Sequence, residues 1–125
     1  MTAAPGTDIR VLVAGSLIAV VEPLGQRLDA EPGLLVTGTA LEPQAALRAV
    51  RHSAVDVAVI ALAGGAADLL AIADALRTTR PGLGLIGLPD GDDVALLERA
   101  VRHGFRGWVP MEREVSTLLD AVRAV

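Results

Sequence analysis

Five short apolar runs, each followed by a stretch with helical spacing, constrain this chain more than any other feature of its sequence. Arg10 to Ala14 is a strand-like run ended by Gly15-Ser16, where Ser16 is a helix N-cap candidate. Leu17 to Ala30 then has helical spacing, with Ala19, Val20, Leu24 and Leu28 near one face, and Glu31-Pro32-Gly33 stops it. Leu34 to Ala40 reads as a second strand and Pro43 to His52 as a second helix, with Pro43 suited to its first turn. Val55 to Leu62 is almost wholly apolar, as a central parallel strand buried on both faces has to be. Gly64-Gly65 breaks it, Ala67 to Thr78 follows as a helix, and Arg80-Pro81-Gly82 closes that. Leu83 to Leu88 is a fourth strand, and Asp92 to His103 a helix ending at Gly104, a suitable C-terminal cap. Gly107 to Val109 and Glu114 to Val125 complete the series. Strand and helix in strict alternation require a parallel sheet covered by helices on both faces. In such α/β sheets the working site lies at the carboxyl ends of the strands.

Length and composition bound the rest. The 125 residues suit one domain, with 1–8 as a flexible arm and 9–125 as the folded unit. No apolar run approaches the ~20 residues of a membrane span, and no export signal opens the chain, so a cytoplasmic location is expected. Cysteine is absent, which excludes disulfides and thiolate metal sites. The net charge of -4 argues that the domain alone does not grip nucleic-acid phosphates. All eleven basic residues are arginine; the chain has no lysine.

Several segments resemble the receiver domains of response regulators, of the NarL/LuxR type. They are Ile9 to Val13, Leu28 to Ala40, Asp56 to Ile60 and Ala100 to Pro110, and together the likeness covers Ile9 to Val125. The resemblance implies a flavodoxin-like, doubly wound (βα)₅ fold with strand order 2-1-3-4-5. It also implies five site positions: two adjacent Mg²⁺-binding acids, an Asp nucleophile, a Ser or Thr, and a Lys. Here the acids fall on Gly15 and Ser16, the nucleophile on Ala61, the hydroxyl on Pro89 and the lysine on Met111. Shifting the alignment by one residue rescues none of them, since Ile60 and Leu62 flank Ala61 and Leu88 precedes Pro89. Magnesium needs hard oxygen ligands, and neither glycine nor serine offers a carboxylate. The expectation is a receiver without phosphoryl chemistry: no enzyme, no cofactor and no bound metal. Trp108 falls on the position where receivers carry a switch aromatic; it is either that or a plain core aromatic, and it is expected in one rotamer.

Other residues have ordinary explanations beside sharper ones. Asp90, Asp92 and Asp93 suit a turn and helix N-terminus better than a relocated metal site. His52 and His103 fall at helix C-termini, which favour cations. The glycines at 15, 64 and 65 match no phosphate-loop pattern. Ser16 has no sequence-placed base to activate it.

The first helix is apolar beyond one stripe (Leu17, Ile18, Val20, Val21), and Pro23 with Gly25 is expected to bend or weaken it. The last helix has Val115, Leu118, Leu119 and Val122 on one face, with Ala121, Ala124 and Val125 beside them. Leu17, Val21, Ala121 and Val125 are therefore the expected partner face, and the expected partner a second copy; the resemblance equally implies pairing through the face of the fourth helix, fifth strand and last helix. The alternative is a small apolar ligand in the vestigial pocket. By the resemblance, DNA would be reached only through an output domain, which this chain does not contain. A nucleotide-binding domain or small enzyme is the third option, but no phosphate loop or catalytic pair supports it.

Overall fold

The computed structural model describes residues 8–62, 66–90, 94–110 and 115–125, and the elements alternate as the sequence predicts. They are β1 (Ile9–Gly15), α1 (Ile18–Asp29), β2 (Leu34–Ala40), α2 (Pro43–His52), β3 (Val57–Ala61) and α3 (Ala66–Thr79), followed by β4 (Gly84–Leu88), α4 (Val94–Arg102), β5 (Gly107–Trp108) and α5 (Val115–Ala124). All strand pairs are parallel, and the sheet order is β2-β1-β3-β4-β5. This is the doubly wound α/β fold expected. The proposed arm, 1–8, lies outside the described residues apart from exposed Asp8.

Side chains alternate across the sheet and feed two cores. Leu12, Ala14, Ala58, Ile60 and Leu85 face α2, α3 and α4, where they meet Ala46, Val50, Leu76, Leu96 and Ala100. Val11, Val13, Val57, Val59 and Ile86 face the other way and meet Val21 and Leu28 of α1 and Leu118 and Val122 of α5. Every residue of β3 and β4 is buried, which explains why both runs are apolar throughout. β3 pairs over fewer residues than its apolar run, yet Val55 and Leu62 at its ends are still buried.

One local expectation is corrected. The N-cap of α1 is Leu17 and not Ser16, and Leu17 makes no side-chain cap bond. β1 extends through Gly15, which delays the helix by one residue and leaves exposed Ser16 ahead of the cap. Pro23 lies inside α1, which runs through it to Asp29. Proline forfeits one helical bond, while the buried residues Val21, Gly25 and Leu28 hold the helix to the sheet. Gly25 allows close approach: a Cβ there would lie 3.1 Å from Thr39 Cγ2.

Polar side chains tie the loops. Asp56 Oδ2 accepts from the Arg10 amide at 2.9 Å, and Asp29 Oδ1 accepts from the Val36 amide at 3.0 Å. Arg80 donates to the carbonyls of Val50 (2.8 Å) and Ser53 (3.3 Å), closing the end of α2. In β2 the register steps from Val11↔Val36 to Leu12↔Gly38, so Thr37 is an extra residue, a bulge on an edge strand.

Candidate functional site

The carboxyl edge of the sheet gathers Gly15, Ser16, Ala61 and Pro89, four of the five positions singled out in the sequence. Gly15 pairs with Ala61 across β1 and β3, Ala61 pairs with Leu88 across β3 and β4, and Pro89 follows directly. The Leu62 amide donates to the Leu88 carbonyl at 2.8 Å, holding the β3 and β4 ends together. Gly15, Ala61 and Pro89 are buried and Ser16 is exposed. Met111 and Gly64-Gly65 lie outside the described residues.

The local packing at Gly15 is decisive for its chemistry. A Cβ built there would lie 2.9 Å from Val21 Cγ2, 3.2 Å from Ala61 Cβ and 3.2 Å from the Ala61 carbonyl oxygen. Real Cβ contacts are almost never that short, so an apolar side chain of α1 fills the space an acid at position 15 would use. The residues present do not fit a magnesium ion: the donor set holds no carboxylate, and one of its positions is closed. Of the three aspartates after β4, Asp90 is exposed, whereas Asp92 and Asp93 lie outside the described residues. Among the described residues no group of His, Cys, Asp and Glu could hold a metal ion.

Trp108 is half-buried on β5 and meets Phe105 edge to face, centroids 6.1 Å apart and planes at 90°. Its ring lies across Gly87 of β4, where a Cβ would come 2.5 Å from Trp108 Cζ3. A tryptophan here needs glycine beneath it. The ring packs against the α2–α3–α4 core, so the core-aromatic reading describes most of its surroundings.

The expected partner face breaks up. Val21 is 0 % exposed and belongs to the core, so it is withdrawn as a partner residue. Its apolar neighbours on the helix wheel left the inward face ambiguous in sequence. Ala121 and Val125 are half-buried against the same core, and Leu17 remains 43 % exposed beside exposed Ile18. Sequence reasoning missed the broader apolar stripe on α4: Val94, Leu97 and Val101 are exposed, at 71 % and 63 % for the two valines. Their spacing of three and four residues places them on one face. That signal was available beside the core stripe of Leu96 and Ala100. His52 stays exposed in the last turn of α2. His103 Nδ1 donates to Asp74 Oδ1 at 2.6 Å, joining the end of α4 to α3.

No protein-family model and no curated protein matches the sequence. The structure is similar to many solved receiver domains. That of the NarL response regulator of Mycobacterium tuberculosis has a TM-score of 0.79 at 21% identity, covering 94% of this chain and 98% of that one. A LuxR-family response regulator of Aurantimonas sp. SI85-9A1 has a TM-score of 0.83 at 19% identity, covering 94% and 84%. A CheY-like receiver domain protein of Methanospirillum hungatei JF-1 has a TM-score of 0.80 at 14% identity, covering 94% and 92%. The chain therefore has the fold of response-regulator receiver domains, with order 2-1-3-4-5. No described helix is long and apolar enough to cross a membrane.

Proposed function

We propose that this chain is a receiver-like signalling domain that works without phosphorylation, by docking to a second copy of itself. The observation that carries the first half is the packing of Val21 and Ala61 around Gly15, which leaves no carboxylate and no room for one. Without a nucleophile at Ala61 no aspartyl phosphate forms, so the domain has no catalytic role and no cofactor. The second half rests on the α4 stripe of Val94, Leu97 and Val101, apolar surface that a helix pays for in water unless a partner covers it. In a transcription regulator, contact with specific DNA sequence would fall to an output domain, and the receiver-like part would set the pairing. The small-apolar-ligand reading is the weaker one, because at Gly15 the protein's own side chains take the space.

The test of the first half is addition of beryllofluoride or acetyl phosphate with Mg²⁺, followed by Trp108 fluorescence and intact mass. We expect no change in either. A saturable fluorescence response, or a phosphoryl adduct on the protein, would overturn the reading.

A further inference from the structure

We infer that the edge of the sheet opposite the vestigial pocket, beneath α2, α3 and α4, is an electrostatic docking surface for the phosphate backbone of a nucleic acid. This goes beyond the proposed function and does not depend on it.

Parallel topology places every helix C-terminus at the amino edge of the sheet. Under α2, α3 and α4 that edge collects six arginines: Arg51, Arg77, Arg80, Arg99, Arg102 and Arg106. The helix dipole accounts for cations in last turns. It does not account for an excess over acid: six arginines there stand against Asp56, Asp74 and Glu98. Asp56 is bonded to the Arg10 amide and Asp74 to His103, and among the described residues no arginine forms an ion pair with a carboxylate. The half of the same edge under α1 and α5 is different: Arg10, Arg27 and Arg123 there are matched by Asp8, Asp29 and Glu31.

The basic half is also grooved. Two adjoining depressions of ≈ 550 and ≈ 340 Å³ share Arg77 and Pro81; Asp74, bonded to His103, lines the first and Arg106 the second. Arg77 lies across Gly104, so its guanidinium is laid along the surface between α3 and the turn into β5.

Shape and charge density choose the partner. Neighbouring helices pack about 8–10 Å apart, so three helix ends spread the arginines over roughly 20 Å. That suits an extended polyanion and not a compact one. A duplex presents a negative charge about every 1.7 Å of its axis, more than a peptide can, and guanidinium pairs bidentately with phosphate. The net charge of -4 argued against such binding, yet it averages over charges that the fold separates. α3 alone is 14 residues long, about 21 Å at ~1.5 Å per residue. Asp68 near its far end therefore lies beyond the screening length of about 10 Å at 0.1 M salt, whereas Asp74, closer to Arg77, is engaged by His103.

The experiment is fluorescence anisotropy of a labelled duplex of about 20 base pairs and arbitrary sequence, titrated with the 125-residue protein from about 50 mM salt upward. We expect saturable binding that weakens steeply with salt. Arg102→Glu with Arg106→Glu should weaken it about tenfold or more, whereas Arg27→Glu with Arg123→Glu, the same change in net charge, should alter it less than about twofold. All four side chains are exposed, and circular dichroism verifies that both variants fold. Absence of binding at the lowest salt, or equal losses in the two double variants, would overturn the inference. So would polyglutamate or anionic phosphatidylglycerol vesicles binding as tightly as the duplex.

Discussion

Val21 occupies the space into which any side chain at position 15 would project, its Cγ2 2.9 Å from where a Gly15 Cβ would stand. Gly15→Ala should therefore cost about 1–3 kcal/mol by overpacking. Combined with Val21→Ala it should cost less than the sum of the two single changes, because the second substitution clears the space. Urea denaturation of the four chains measures this; strict additivity would show that the two positions do not compete.

The same logic applies at β4 and β5. Gly87→Ala inserts a methyl group 2.5 Å from Trp108 Cζ3 and 3.2 Å from Phe105 Cδ2. The ring has to leave its seat, so the emission of Trp108 should shift to the red and stability fall by about 1–3 kcal/mol. An unchanged emission maximum would mean the ring is not held there.

Gly104 sits at φ +86, with the Arg77 side chain 2.5 Å from a Cβ placed on it. Gly104→Ala should lose about 1–2 kcal/mol from the left-handed backbone alone. Arg77→Ala removes the side-chain clash but not the backbone strain, so the loss should persist in that background. Chemical denaturation that finds no cost in the Arg77→Ala background would refute this.

If α4 pairs two copies, Val101→Glu places a charge on a stripe that must be dehydrated, and the protein should become monomeric by light scattering. Leu17→Glu, on α1, should leave the pair intact. A wild-type protein that is monomeric at all concentrations would end the pairing proposal.

The architecture was legible because each strand and helix carries its own pattern. Val57–Ala61 is apolar at every position since both its faces are covered, and Gly104 after α4 marks a turn only glycine makes cheaply. The proposed loss of the phosphoryl site rests on residue types and on the packing at Gly15, of which only the first could be read in sequence. What could not be read was which apolar residue of a crowded helix faces inward: Leu17, Ile18, Val20 and Val21 differ little in chemistry, and a one-residue delay of α1 decides between core and surface. Contacts distant in sequence were equally hidden. His103 meets Asp74 across 29 residues, and nothing in either local pattern points to the other. Charge segregation escaped for a related reason, since a total cannot reveal which end of each helix its arginines occupy.

The bulge at Thr37 limits how copies of this chain can join. It disrupts the ladder of β2, and a disrupted border is a poor template for an incoming strand. The opposite border, β5, is only two residues long. Neither margin offers the unbroken row of amides and carbonyls that intermolecular strand addition needs. Any assembly of this protein is thereby channelled away from the backbone-to-backbone route that leads to fibrils and onto side chains displayed by its helices.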